Sequence, residues 1–461
     1  NPKGCDPLYL NIAGRGGCGK SFWLKIVKRM IELKADDQQF IRVAAPTANA
    51  AFIVEGTTLH SLLKIPPKIS KDKEMKELKG GALRSLQEQF KGLELLVIDE
   101  KSMVGTHMLY MIHKRLCEIK CSQEMFGGVS LILMGDFAQL PPVKDKPLYD
   151  TKTEDLNLFQ AQGSMLFKQF MEKGKTIIFD EIMRQQGESQ KRFKEVLNSL
   201  ADGSFDKAGY LYLKERDLFL SDKISKEDQK EFLASSTLIT STNKVAKKYN
   251  CDRIKQLGTD IALIQSENSP PAARNASFSK AGLPNSIMLA KGCDVLLTTN
   301  LWKEVGLTNG AKGKVKYIIY AKGEKPPMLP RLVIVEFEQY TGPDYLGMKK
   351  CVPIIPISRT WYESNKTCER IMLPLNLGYG ITIHKSQGQS MDKVIIDIGK
   401  KEFACGLTYT AISRCRKIED LAFYPFFNLP RVQRIKTAKV FKERQKQDKK
   451  EQKSDNLFDE N

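Results

Sequence analysis

Short apolar runs of strand length alternate with longer stretches whose apolar residues follow a helical period. LYLNIAG (8–14) reads as a buried strand and SFWLKIVKRMIELK (21–34) as an amphipathic helix. FIRVAAP (40–46) and LELLVIDE (93–100) are further strand-like runs, the second ending on Asp99 and Glu100. GGVSLILMGDFAQLPPV (127–143) gives another core strand, and Pro141 with Pro142 stops any helix from following it. SSTLITSTNKVAKKYN (235–250) predicts a strand followed by a helix, and KVIIDIG (393–399) another strand. Between 309 and 370 the pattern changes. KGKVKYIIYA, PRLVIVEFEQY and KKCVPIIPISRTWYE alternate apolar and polar residues between turn signals, as half-buried antiparallel strands do.

The chemistry sits at the ends of these strands. Between the first strand and helix, Gly14-x4-Gly19-Lys20-Ser21 matches a Walker A loop in its required strand–loop–helix context. Glycines, with Gly16 and Gly17 among them, let backbone N–H groups of a loop that also holds Cys18 close on phosphate. Lys20 reaches the β and γ oxygens, and Ser21 ligates magnesium. Asp99 is placed to hold the same ion and Glu100 to polarise the attacking water, which favours hydrolysis over phosphoryl transfer. Gln139 stands where a sensor of the γ-phosphate belongs. These residues call for a bound nucleotide and Mg2+.

Length and charge change the picture next. A chain of 461 residues predicts about two to four domains. No apolar run approaches the roughly 20 residues that cross a bilayer, so no membrane partner is expected. The net charge of +19 favours polyanions. Part of it comes from residues 431–461, Lys/Arg-rich and poor in apolar residues, which read as a partly helical or disordered tail. Ten cysteines are scattered singly, fitting a reducing compartment and no zinc site. The chain opens on Asn1, which reads as a fragment, so a targeting segment would lie outside it; a nuclear or mitochondrial setting is the expectation for a eukaryotic source.

Taken in order, VAAPTANAAFIVEGTTLHSLLKI (43–65), IDEKSMV, FGGVSLILMGDFAQLPPV, LITSTNKVAKKYN, LPLNLGYGITIHKSQGQSMDKVIIDIG (373–399) and GLTYTAISRCR (406–416) resemble the motifs of superfamily one DNA helicases of the petite-integration-frequency (PIF) branch, with its RecD-like relatives. The resemblance runs from about residue 8 to 425. It implies an α/β fold of two RecA-like P-loop domains with parallel sheets, a small wedge insertion in the first and an SH3-like β-barrel insertion in the second. The corresponding boundaries are 1–64 and 92–205 for the first domain around a wedge at 65–91. The second covers 206–308 and 371–430 around the insertion at 309–370, before the tail.

The implied activity is ATP-driven 5′-to-3′ movement on single-stranded DNA, unwinding forked or structured duplexes as a monomer, with ATP between the two domains. A DNA-binding or annealing ATPase that does not unwind is the competing reading. Arg184 and Arg414 correspond to arginines that reach the γ-phosphate, though Arg184 also suits a surface position at a helix start. Gln387 and Gly388 link nucleotide to DNA. DNA contacts are implied for Pro46, Thr47, Thr58, His60 and Ser61 in one patch and for Thr242, Asn243, Thr382, His384, Lys385 and Ser386 in the other. Phe137 would stack on a base. Structural readings stand beside several of these: His60 as a satisfied histidine, Thr242 and Asn243 as a helix cap, Phe137 as core. Three departures are visible, one being Asn49 in place of the common glycine or lysine in APTANAA. No glutamine precedes the Walker A loop in NPKGCDPLYL to recognise adenine, and Lys101 occupies a position usually apolar.

Overall fold

The computed structural model describes residues 6–35, 39–66, 74–150, 155–363 and 366–455. The chain separates into two compact units, Asn1–Ala234 with Ser386–Asn461, and Ser235–Lys385.

The larger unit is built on a six-stranded sheet of β1 (Tyr9–Gly14), β2 (Ile41–Ala45), β3 (Thr57–Thr58), β4 (Leu95–Ile98), β5 (Ser130–Gly135) and β6 (Thr176–Phe179), in the order β3-β2-β4-β5-β1-β6. Every pairing in it is parallel, as in a RecA-like P-loop domain. Parallel strands are covered on both faces, so their residues divide by a period of two between two cores. Leu96, Ile98, Leu131 and Leu133 join one cluster with Leu59, Leu109, Ile112 and Phe167. Leu95, Val97, Ile132 and Met134 join the other with Ile12 and Leu24. Helices α1 (Lys20–Ala35) and α2 (Ala48–Ile53) follow β1 and β2. Parallel strands thus deliver their C-terminal ends, and the loops that carry chemistry, to one edge. Val394–Asp397 pairs in parallel with Leu421–Phe423 in the same unit.

The interval 65–91 holds the helix Gly80–Gln89 among its described residues, with Leu86 buried; residues 67–73 lie outside them. The basic tail takes the helical of its two expected forms, and it is packed rather than solvated. Lys439–Asp455 is a 17-residue helix with Phe441, Arg444, Gln447, Glu451 and Ser454 buried. Composition reads it as solvated because its charges are visible and their partners, hundreds of positions earlier, are not.

In the smaller unit, Gly380–Thr382 pairs in parallel with Thr237–Thr240, beside the helix Asn243–Lys255. The strands of 309–370 are antiparallel and draw partners from outside that interval. Lys312–Ile319, Leu332–Phe337 and Cys351–Ile354 extend a five-stranded sheet with Asp294–Leu297 and Leu375–Leu377. Ile357–Glu363 and Lys366–Met372 pair with each other, and the latter with Glu267–Ser269. No helix among the described residues is long and apolar enough to cross a membrane.

Candidate functional site

A cavity of about 520 Å³ opens at the C-terminal edge of the six-stranded sheet, and every residue lining it belongs to the larger unit. Its floor is the loop between β1 and α1. Gly17 has φ +92, and a Cβ there would lie 2.5 Å from the Cβ of Arg184, so only glycine fits. Lys20 Nζ donates to the carbonyls of Gly14 (2.7 Å) and Arg15 (3.0 Å) and lies 3.3 Å from Cys18 Sγ. Ser21 Oγ donates to Asp99 Oδ2 at 3.0 Å.

Asp99 is buried, and burial, then the neighbouring Glu100, pushes its carboxyl up to about 6; Lys20, Ser21 and the backbone N–H of Glu100 oppose the rise. A carboxylate so starved of positive charge, beside a hydroxyl, suits a hard divalent cation. Magnesium takes one or two protein oxygens and completes its shell with water and phosphate. Among the described residues no cluster of three or more His, Cys, Asp or Glu forms an all-protein metal cage. Glu100 itself sits in the left-handed region (φ 57°, ψ 46°), a strained conformation for a side chain of this size. Its Oε2 accepts from Gln387 Nε2 at 3.0 Å, and the same Nε2 reaches Ser102 Oγ at 3.2 Å. Gly388 lines the cavity.

Both candidate arginines line it as well. Arg184 lies in the loop after β6, where its own N–H and that of Met183 donate to Gly17 O (3.0 and 2.9 Å) and its Nη1 donates to Ser413 O (2.7 Å). Arg414 is fully buried: Nε donates to Thr410 O (2.8 Å), Nη2 to Ser413 Oγ (2.9 Å) and, at 3.4 Å, to Gln139 Oε1. Burial, then the like charge of Arg184, brings its pKa down to about 10. A buried guanidinium (Arg414) beside a half-buried one (Arg184) creates a demand for anionic charge. This arrangement suits a polyphosphate.

Two side chains that sequence reasoning did not assign organise the loop. Asp136 accepts from the N–H of Gly16 (2.9 Å), the N–H of Ala138 (2.9 Å) and Tyr409 Oη (2.8 Å). Burial would raise its pKa, but Arg15, Lys20 and these hydrogen bonds hold it below the ordinary range. Tyr409 Oη also accepts from Gly16 N at 3.0 Å. Both lie inside quoted motifs, at positions where a strand-end acid and a helical tyrosine carry no individual signal.

The DNA-contact candidates fall on both units. In the larger, Thr47 caps α2 by accepting from Ala50 N, and Pro46 precedes it, partly exposed. Thr58 accepts from Ser61 N and donates to Ser61 Oγ, while His60 Nδ1 lies 3.0 Å from Ile65 O. Ser386 is buried there. In the smaller unit, Thr242 caps Asn243–Lys255 by accepting from Val245 N, with Thr242 and Asn243 exposed. Thr382 is buried at a strand end, and His384 is half-buried, its pKa lowered by burial. Phe137 is placed differently from a base-stacking ring. It is 4% exposed, packed edge-on against Tyr149 (5.1 Å) and Phe167 (6.0 Å), with Lys101 Nζ 4.4 Å from its centroid. Its surroundings support the core reading.

A family model described as PIF1-like helicase matches residues 6–209. Similar proteins include an ATP-dependent DNA helicase PIF6 of Trypanosoma brucei brucei, 26% identical over 92% of this chain and 52% of its own length. The zebrafish (Danio rerio) ATP-dependent DNA helicase PIF1 is 27% identical over 90% of this chain and 58% of its own. The chain thus spans about half the length of these relatives, although it covers 88% of the Campylobacter jejuni Pif1, at 26% identity. Among solved structures, a Bacteroides Pif1 bound to single-stranded DNA superposes with TM-score 0.69 at 25% identity, covering 93% of this chain and 90% of that one. The Candida albicans Pif1 helicase gives TM-score 0.69 at 25% identity, covering 92% of each chain.

Proposed function

We propose, from the PIF1-like helicase model that matches residues 6–209 and from the similar helicases above, that the chain hydrolyses ATP to move along single-stranded DNA, 5′ to 3′, and to part the duplex ahead of it. One observation carries the reading: Lys20, Ser21, Asp99, Glu100, Gln139, Arg184 and Arg414, scattered over some four hundred positions, line a single cavity. Lys20 and the loop N–H groups hold the β and γ oxygens. Ser21 and Asp99 would hold Mg2+, which when bound neutralises phosphate charge. Glu100, oriented by Gln387, takes the proton of the attacking water. Gln139 positions that water beside the γ-phosphate. Arg184 and Arg414 stabilise the charge that develops on the transferred phosphoryl group, a role worth roughly 10³-fold or more in related enzymes.

The substrate assignment rests on similar proteins described as bound to single-stranded DNA or unwinding forked double-stranded DNA, and on the chain's net charge of +19. Thr47, Thr58, His60 and Ser61 on one unit, with Thr242, Asn243, Thr382, His384 and Lys385 on the other, are proposed to grip backbone phosphates, which positions a strand without reading its sequence. Nine free cysteines among the described residues fit a reducing, intracellular setting, with nucleus or mitochondrion as the finer proposal for a eukaryotic source.

The test measures ATP turnover with and without single-stranded DNA, then strand displacement on substrates with 5′ or 3′ overhangs. DNA-stimulated turnover and displacement confined to 5′ overhangs are expected. Turnover indifferent to DNA would sink the motor, and displacement from 3′ overhangs alone would reverse its direction.

A further inference from the structure

The helix Lys439–Asp455 enters the protein with its charged side chains first. Phe441, Arg444, Gln447, Glu451 and Ser454 recur every three or four residues, and all are buried. A buried stripe that is mostly polar holds only if it finds partners, since an unpaired buried charge is strongly destabilising. Arg444 donates to Ala201 O, Ser454 Oγ to Glu172 O (2.9 Å), and Asp455 accepts from Ile178 N (3.0 Å). Glu451 Oε1 accepts from Lys101 Nζ at 3.0 Å and from Asn11 Nδ2 at 2.9 Å. Lys101 is fully buried, donates also to Asn11 Oδ1 at 2.5 Å, and lies 4.4 Å from the Phe137 centroid. One ammonium therefore ties together the strand that feeds the phosphate loop (Asn11), the turn that carries Glu100, and the loop that carries Gln139.

We propose that the C-terminal helix is a brace for the catalytic turn, with Glu451 and Lys101 as positioning residues that hold Glu100 and the Gln139 loop in register for hydrolysis. This rests on the nucleotide-site reading above. Glu100 occupies a left-handed backbone conformation, which is strained for a non-glycine residue and persists only where neighbouring structure enforces it. The tight turn Lys101–Met103 begins at the next residue, so anchoring the Lys101 side chain fixes the backbone immediately after the base. With the anchor gone, Glu100 relaxes away from the water it activates, and displacements near 1 Å can cost ~10²-fold in rate.

The experiment uses the full chain carrying Glu451→Gln, and separately the double change Lys101→Met with Glu451→Met, which removes both charges without stranding either. Turnover is measured at saturating single-stranded DNA. It is expressed per nucleotide site, counted by titration with a fluorescent ATP analogue, so that unfolded protein drops out of the rate. We expect kcat per site to fall about 3-fold or more in the first variant and about 10-fold or more in the second, with KM for ATP within about 2-fold of the parent. Parental kcat per site in both overturns the brace; if the double variant does not fold, Glu451→Gln alone decides. Lys20→Ala runs alongside. Should it leave turnover intact, the site reading fails and the brace with it. Should it abolish turnover while the Glu451 variants match the parent, the brace alone fails.

Discussion

Lys20 and Glu100 have separable tasks, and single substitutions should expose the difference. Lys20→Ala removes the ammonium that the loop carbonyls of Gly14 and Arg15 present to the cavity. Hydrolysis should drop by at least ~100-fold, the scale of losing a preorganised charge, while DNA affinity stays within about 2-fold; lost DNA binding would mean that the loop also holds the fold. Glu100→Gln should bind ATP normally and turn it over at least ~100-fold more slowly, as expected for loss of a general base. Near-normal turnover would remove Glu100 from the chemistry. Tyr409→Phe deletes a hydroxyl that donates to Asp136 and accepts from Gly16 N. A hydrogen bond to a buried carboxylate is worth about 1.5–3 kcal/mol, so ATP should bind roughly 10-fold more weakly, read by titration; unchanged affinity would make the bond incidental to the loop. Lys20, Ser21 and Asp99 were legible because their spacing from a strand end is local. Tyr409 was not, because its partner Asp136 lies 273 positions away.

Elements are held by buried polar anchors that the hydrophobic pattern does not reveal. The helix Leu407–Ile412, which carries Tyr409 and precedes Arg414, begins where Glu402 accepts from Thr408 N (2.9 Å) and pairs with buried Arg431 (2.5 Å). Glu402→Ala strands that guanidinium and should cost about 3–5 kcal/mol of stability, measured by urea denaturation; a loss under about 1 kcal/mol would show the Arg431 bonds to backbone carbonyls to be sufficient. The periodicity of 8–34 announced a strand and a helix correctly because apolar spacing there matches burial. It left 431–461 open between helix and disorder for the converse reason: a helix buried through Arg444, Gln447 and Glu451 has an apolar pattern too weak to register. Gly203 belongs to the same docking, since with φ +71 a Cβ there would meet the Phe441 ring at 2.4 Å.

At the scale of the whole molecule, charge is the property that composition states most directly. With a net +19, binding to single-stranded DNA should weaken roughly 10-fold or more between about 50 and 200 mM salt, through the return of counterions to the strand. Affinity flat across that range, in a fluorescence anisotropy titration, would refute a phosphate grip. The amino-acid sequence by itself determined that a parallel sheet presents a phosphate loop, two adjacent carboxylates and a glutamine at one edge. Those facts follow from short-range spacing and from strands that are apolar on both faces. Only the tertiary structure decided that Phe137 belongs to the core, that Asp136 and Tyr409 clasp the loop, and that a basic C-terminal segment reaches Lys101 through Glu451. The reason is physical. Whether a charged or aromatic side chain is buried depends on the partner it meets, and distant parts of a chain meet only when it folds.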